Sequence, residues 1–82
     1  MFQLHPQLAK DCLELGSLGL SRLLLMNDSN YPWFILVPER ESVRELYELA
    51  DADRTRLWDE SARLSHALVK GFAPHKLNVA AL

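Results

Sequence analysis

From Ser42 to Ala73 the chain has no proline, and its only glycine, Gly71, comes near the end of the stretch. Apolar residues recur there at helical spacing: Val43, Leu46, Tyr47 and Leu49, then Leu57, Trp58, Leu64, Leu68, Val69 and Phe72. So much of an 82-residue chain given to one periodicity leaves little room for anything but a helical second half. The interruption is "ADAD" at 50–53, which offers a fresh N-cap carboxylate and acidic residues suited to the positive end of a helix. The spacing predicts a short helix from Ser42 and a long one from Asp51 or Ala52. Gly71 through Pro74 end it, because proline cannot continue a helix and biases the residue before it away from helical angles.

At about 100° per residue, Leu57, Ser61, Leu64, Ser65, Leu68, Val69 and Phe72 share one half of the long helix, with Trp58 beside them. Asp59, Glu60, Arg63, His66 and Lys70 fall on the other half. The apolar half is wider than one sheet contact requires, so part of it is expected to face a second subunit.

Ahead of the helices, "CLELGSL" alternates in the manner of a half-buried strand, with Gly16 and Gly19 as turn punctuation. "RLLLMN" and "WFILVP" are short apolar runs bounded by polar residues or proline, as expected of strands buried on both faces. After the long helix, "KLNVAAL" reads as another strand. Strands, then helices, then a strand give an α+β class: an antiparallel sheet with a short and a long helix on one face. The expected organisation is a single domain over residues 1–82.

A chain of this length buries only about 60 % of its unfolded surface, so a partner or a larger whole is expected. The net charge of −2, with acids and bases interspersed, offers no basic stripe for a nucleic-acid backbone. No stretch approaches the roughly 20 apolar residues that span a bilayer, and the start "MFQLHPQLAKDC" has no charged leader before an apolar run. A cytoplasmic protein with no nucleic-acid or membrane partner is the expectation. The single cysteine, Cys12, has no internal disulfide partner and reads as a small buried apolar residue.

Chemistry-bearing motifs are sparse. His5, His66 and His75 lack the spacing of a metal site and stand near no plausible nucleophile. The serines have no nucleophile-elbow setting, and no glycine-rich phosphate loop is present. No metal, cofactor or catalytic residue is assigned. Trp33 and Phe34 are adjacent and so point to opposite faces of their strand, with core packing expected for both. Asp28 is the most suggestive residue: at a strand end beside Asn27, its two oxygens match the vicinal hydroxyls of a ribose. The same "NDSN" also suits a turn, because Asn, Asp and Ser hydrogen-bond their own backbone, and both readings stay open.

Taken together, "RLLLMNDSNYPWFILVPERESVRELYEL", the long helix and "PHKLNVAAL" resemble the N-terminal part of a histidine triad (HIT) protein, more closely the small bacterial HIT-like proteins. The resemblance implies a nucleotide-binding protein of a hydrolase and transferase superfamily. Asp28 would be the ribose acceptor, with Met26 and Asn27 lining the base side and Asn78 supplying a further polar contact; a purine nucleotide or nucleoside monophosphate would be the ligand. It also implies a homodimer joined through "LNVAAL" and the long helix. Leu82 stands where many relatives carry Asn. The family's His-x-His-x-His run, whose middle histidine attacks phosphorus, does not occur in residues 1–82. The resemblance places it on a strand after Leu82, so these residues read as a truncated, catalytically incomplete member. The rival expectation is a non-catalytic dimeric binding or scaffolding module.

Overall fold

A computed structural model of the chain describes residues 2–27, 33–72 and 78–80. It divides into two compact units, Met1–Val43 and Arg44–Leu82.

The first unit opens with helix α1, Pro6–Asp11. Pro6 takes the first turn, where a missing N–H costs nothing, and the ring Nδ1 of His5 accepts the N–H of Gln7 at 3.1 Å. Six residues carry too little periodicity for the sequence to have revealed this helix. Three strands follow: β1 Cys12–Ser17, β2 Ser21–Met26 and β3 Phe34–Pro38. They form one antiparallel sheet in the order β1-β2-β3, where the alternating and apolar runs led us to expect strands. Leu24, the centre of β2, pairs with Glu14 on one side and Ile35 on the other.

Two glycines shape the β1–β2 hairpin. The register slips between Glu14 and Gly16, and Gly16 accommodates the bulge at φ 141°. Gly19, at φ 117°, makes the turn, its N–H bonded to Ser17 Oγ at 3.1 Å while the N–H of Leu18 reaches the Ser21 carbonyl at 2.9 Å.

Burial in the sheet is more partial than the apolar runs suggest. Leu20, Ser21 and Leu24 are buried, but every residue of β3 is only half-buried. An unbroken apolar run does not tell a strand covered on both faces from one partly open to solvent. Core packing is also incorrect for Trp33, which is 45 % exposed, whereas Phe34 is half-buried.

In the second unit the short helix expected from Ser42 is a single 3-10 turn, Leu46–Glu48. Helix cannot begin at Ser42, whose φ is +59°. The turn is instead held by a reciprocal capping box: the Glu45 side chain accepts from the Glu48 backbone, and the Glu48 carboxylate accepts the N–H of Glu45 at 2.8 Å and that of Arg44 at 2.9 Å. These backbone donors, Arg44 first, hold the Glu48 carboxyl below its ordinary range. The Arg54 guanidinium then bonds the carbonyls of Tyr47 and Leu49 and pairs with Asp51, tying the turn to the start of the next helix.

That helix, α2, runs Asp51–Phe72, as its spacing predicts. Its broad apolar half divides into two stripes. Leu57, Ser61, Leu64 and Leu68 are half-buried, while Trp58, Val69 and Phe72 are exposed, Trp58 by 62 %. Glu60, expected on the polar half, is buried; it sits at the border of the covered stripe, where a residue-by-residue angle decides poorly.

Asn78–Ala80 are exposed and adopt no regular structure, contrary to the strand expected in "KLNVAAL". A strand exists through its ladder, and apolar composition alone does not supply one. Strands followed by helical structure nonetheless make this an α+β chain.

Candidate functional site

β2 is the middle strand, with both of its edges paired. At its C-terminal end Cys12 is the ladder partner of Met26 on the β1 side. On the β3 side the N–H of Met26 donates to the Trp33 carbonyl at 2.8 Å. The N–H of the next residue, Asn27, donates to the carbonyl of Asp11, the last residue of α1, at 3.0 Å. Both backbones are thus fixed by neighbouring segments, while the Met26 side chain is half-buried and that of Asn27 exposed. A thioether offers an adaptable apolar contact, and a carboxamide can both donate and accept.

Cys12, beside Met26, is buried, and this burial, followed by the nearby charge of Asp11, pushes its thiol above the usual range. A buried thiol disfavoured as thiolate suits a packing role. Burial of Cys12 agrees with the sequence expectation.

The opposite end of β2 is a structural clasp that the sequence did not reveal. Arg22 bonds Glu39 at 2.9 Å and Glu14 at 3.3 Å, and its guanidinium lies 5.2 Å from the centre of the Phe2 ring. The hydrogen bond to Glu39 is the main reason its guanidinium is held even more firmly protonated than usual. One cation thereby joins β1, β2, the residue after β3 and the N-terminal segment. Only strand pairing brings these partners together; in the sequence they are up to 37 positions apart, from Phe2 to Glu39.

Of the residues singled out for a ligand, Met26 and Asn27 stand side by side at the end of β2. Asp28 lies outside the described residues. Asn78 is exposed within the irregular Asn78–Ala80 segment of the second unit. His66 is exposed on α2, His5 caps α1, and His75 lies outside the described residues. Among the described residues no helix is long and apolar enough to cross a membrane.

The comparisons agree with this architecture. The family model of the HIT domain matches residues 8–82. A histidine triad protein of Marinobacter aquaeolei VT8 is 49 % identical in sequence, with a TM-score of 0.96 over 100 % of this chain. Histidine triad proteins of Bradyrhizobium japonicum and Sinorhizobium meliloti 1021 are 40 % and 38 % identical, each with a TM-score of 0.96 over 99 % of the chain. In all three cases the match spans 60 % of the other protein's length. No curated protein matches. A family match across residues 8–82, together with these identities, shows that the chain belongs to the HIT domain family.

Proposed function

We propose that residues 1–82 form the nucleotide-binding part of a HIT-family hydrolase or transferase, a single HIT-like domain continued in the full protein. The observation that carries this reading is the family match over residues 8–82. The backbone-held end of β2, with Met26 and Asn27 presenting an apolar and an amide contact, supports it. The ligand is a purine nucleotide or nucleoside monophosphate, with Met26 and Asn27 on the base side, Asp28 accepting from the ribose hydroxyls and Asn78 adding a polar contact. The protein acts in the cytoplasm.

Residues 1–82 contain no His-x-His-x-His run, so the imidazole that attacks phosphorus in this reading is sought beyond them. Reading the coding sequence past Leu82 tests that directly. The binding role is tested by calorimetry on the protein at its full natural length. Asp28→Asn should weaken binding of a nucleoside monophosphate by roughly 1.5–3 kcal/mol, the worth of a hydrogen bond to a charged group. Unchanged affinity would return Asp28 to a turn role.

A second reading, a dimeric binding or scaffolding module without catalysis, draws on α2. Trp58, Ala62, Ser65, Val69 and Phe72 lie within about 40° of one line along that helix. The helix carries Asp51, Asp53, Asp59 and Glu60 against Arg54 and Arg56 in its first half, and Arg63 and Lys70 without acids in its second. Two copies laid antiparallel would set the more acidic half of each against the basic half of the other. A homodimer through this stripe fits either reading. Catalysis by the full-length protein separates them.

A further inference from the structure

We propose that Trp33 is the platform on which the ligand's base stacks, so that the site selects a planar heterocycle as well as a ribose; this rests on the nucleotide reading above. The register of β2 and β3 ends at Leu25↔Phe34, and the 2.8 Å bond from the Met26 N–H to the Trp33 carbonyl extends it by one pair. Residues opposite one another in an antiparallel pair project from the same face of a sheet. Met26 is also paired with Cys12. Cys12, Met26 and Trp33 therefore form one row across all three strands.

Exposure rises along that row. Cys12 is buried, Met26 half-buried, and Trp33 is 45 % exposed. The indole is thus left partly in solvent on the same face as Met26, immediately beside the residue expected to line the base. Every nucleobase presents a π-face, and an aromatic side chain beside its pocket supplies sequence-tolerant stacking. A phosphate or a bare sugar would gain nothing comparable from an indole. Trp33 accordingly favours ligands that carry a base over those that carry none, while the polar residues engage the sugar.

The test uses the protein at its full natural length and two probes, adenosine 5′-monophosphate and ribose 5-phosphate, the second measured by direct titration and by competition. Trp33→Ala should weaken binding of the nucleotide about tenfold or more and leave the sugar phosphate unchanged, while Trp33→Phe should restore most of the loss. In a Trp58→Phe background, which leaves Trp33 as the one tryptophan of residues 1–82, the nucleotide should quench the part of the fluorescence that Trp33→Phe removes, and the sugar phosphate should not. Nucleotide affinity unaltered by Trp33→Ala overturns the stacking role and leaves the nucleotide reading standing. Equal losses for both probes also overturn it, because the residue would then be supporting the fold. If the unsubstituted protein binds neither probe, the nucleotide reading itself fails and the stacking role goes with it.

Discussion

The two units solve the problem of a small core in different ways. In Met1–Val43 the polar groups are tied across strands: the ladder is broken only by the bulge at Gly16, Arg22 clasps Glu14 and Glu39, and the backbones of Met26 and Asn27 are bonded outward at the sheet end. In Arg44–Leu82 the bonds that set the start of the helix are local. The Glu45 and Glu48 box and the Arg54 contacts span at most seven residues, and beyond them the long helix leaves Trp58, Val69 and Phe72 in solvent. Long-range ties make the sheet region depend on its own interior. The helical region has local ties that set its start, and an exposed apolar stripe on which the proposed dimer contact rests.

The largest effect that would sharpen this contrast is expected from Leu24→Ala. Leu24 is fully buried between two neighbours in the sheet, so its truncation should cost about 2–5 kcal/mol, read by chemical denaturation. A loss below about 1 kcal/mol would mean that the sheet region is not the buried centre described here.

Next comes Trp58→Ala on the helix. Because Trp58 is 62 % exposed, it should leave far-ultraviolet circular dichroism unchanged but weaken self-association by about 2 kcal/mol or more, measured by sedimentation equilibrium. A parent protein that stays monomeric at high micromolar concentration would break the comparison, leaving the stripe without the proposed dimer contact.

A smaller effect is expected at Gly16. A methyl there meets nothing within 4 Å, so Gly16→Ala isolates the backbone cost of φ 141°, about 1 kcal/mol or somewhat more. No change in the denaturation midpoint would show that the bulge tolerates relaxation.

The smallest prediction concerns pH. Glu48 has its carboxyl lowered by the backbone donors of Arg44 and Glu45, so its contribution is present above the ordinary glutamate range and lost as acid protonates it in the fold. Glu48→Gln should therefore flatten a slight acid destabilisation of the 3-10 turn, seen by amide exchange at Arg44 and Glu45. Identical acid profiles for the two proteins would remove the carboxylate from that role.

Much of the plan was legible in local order. The break at "ADAD" and the run to Phe72 define α2 within a residue, and β1, β2 and β3 follow from alternation and from apolar runs closed by polar residues or proline. Where expectation and structure part, the deciding quantity is non-local or very local. Ser42 has a left-handed φ that shortens a helix to one turn, and Trp33 stands 45 % exposed at the very end of the β2–β3 pairing.

The candidate site divides along the same line. For Met26 and Asn27 the sequence offers a ligand role only through what the HIT resemblance implies. Their support by Asp11 and Trp33, and the row Cys12–Met26–Trp33, required strands to be paired. By itself the sequence determined α2 and the three strands, though not the six-residue α1 or the single 3-10 turn, because periodicity and breaking residues act over a few neighbours and short elements carry little of either. Only the tertiary structure decided which apolar side chains are covered and that Arg22 is a clasp, because burial and ion pairing depend on residues far apart in the chain.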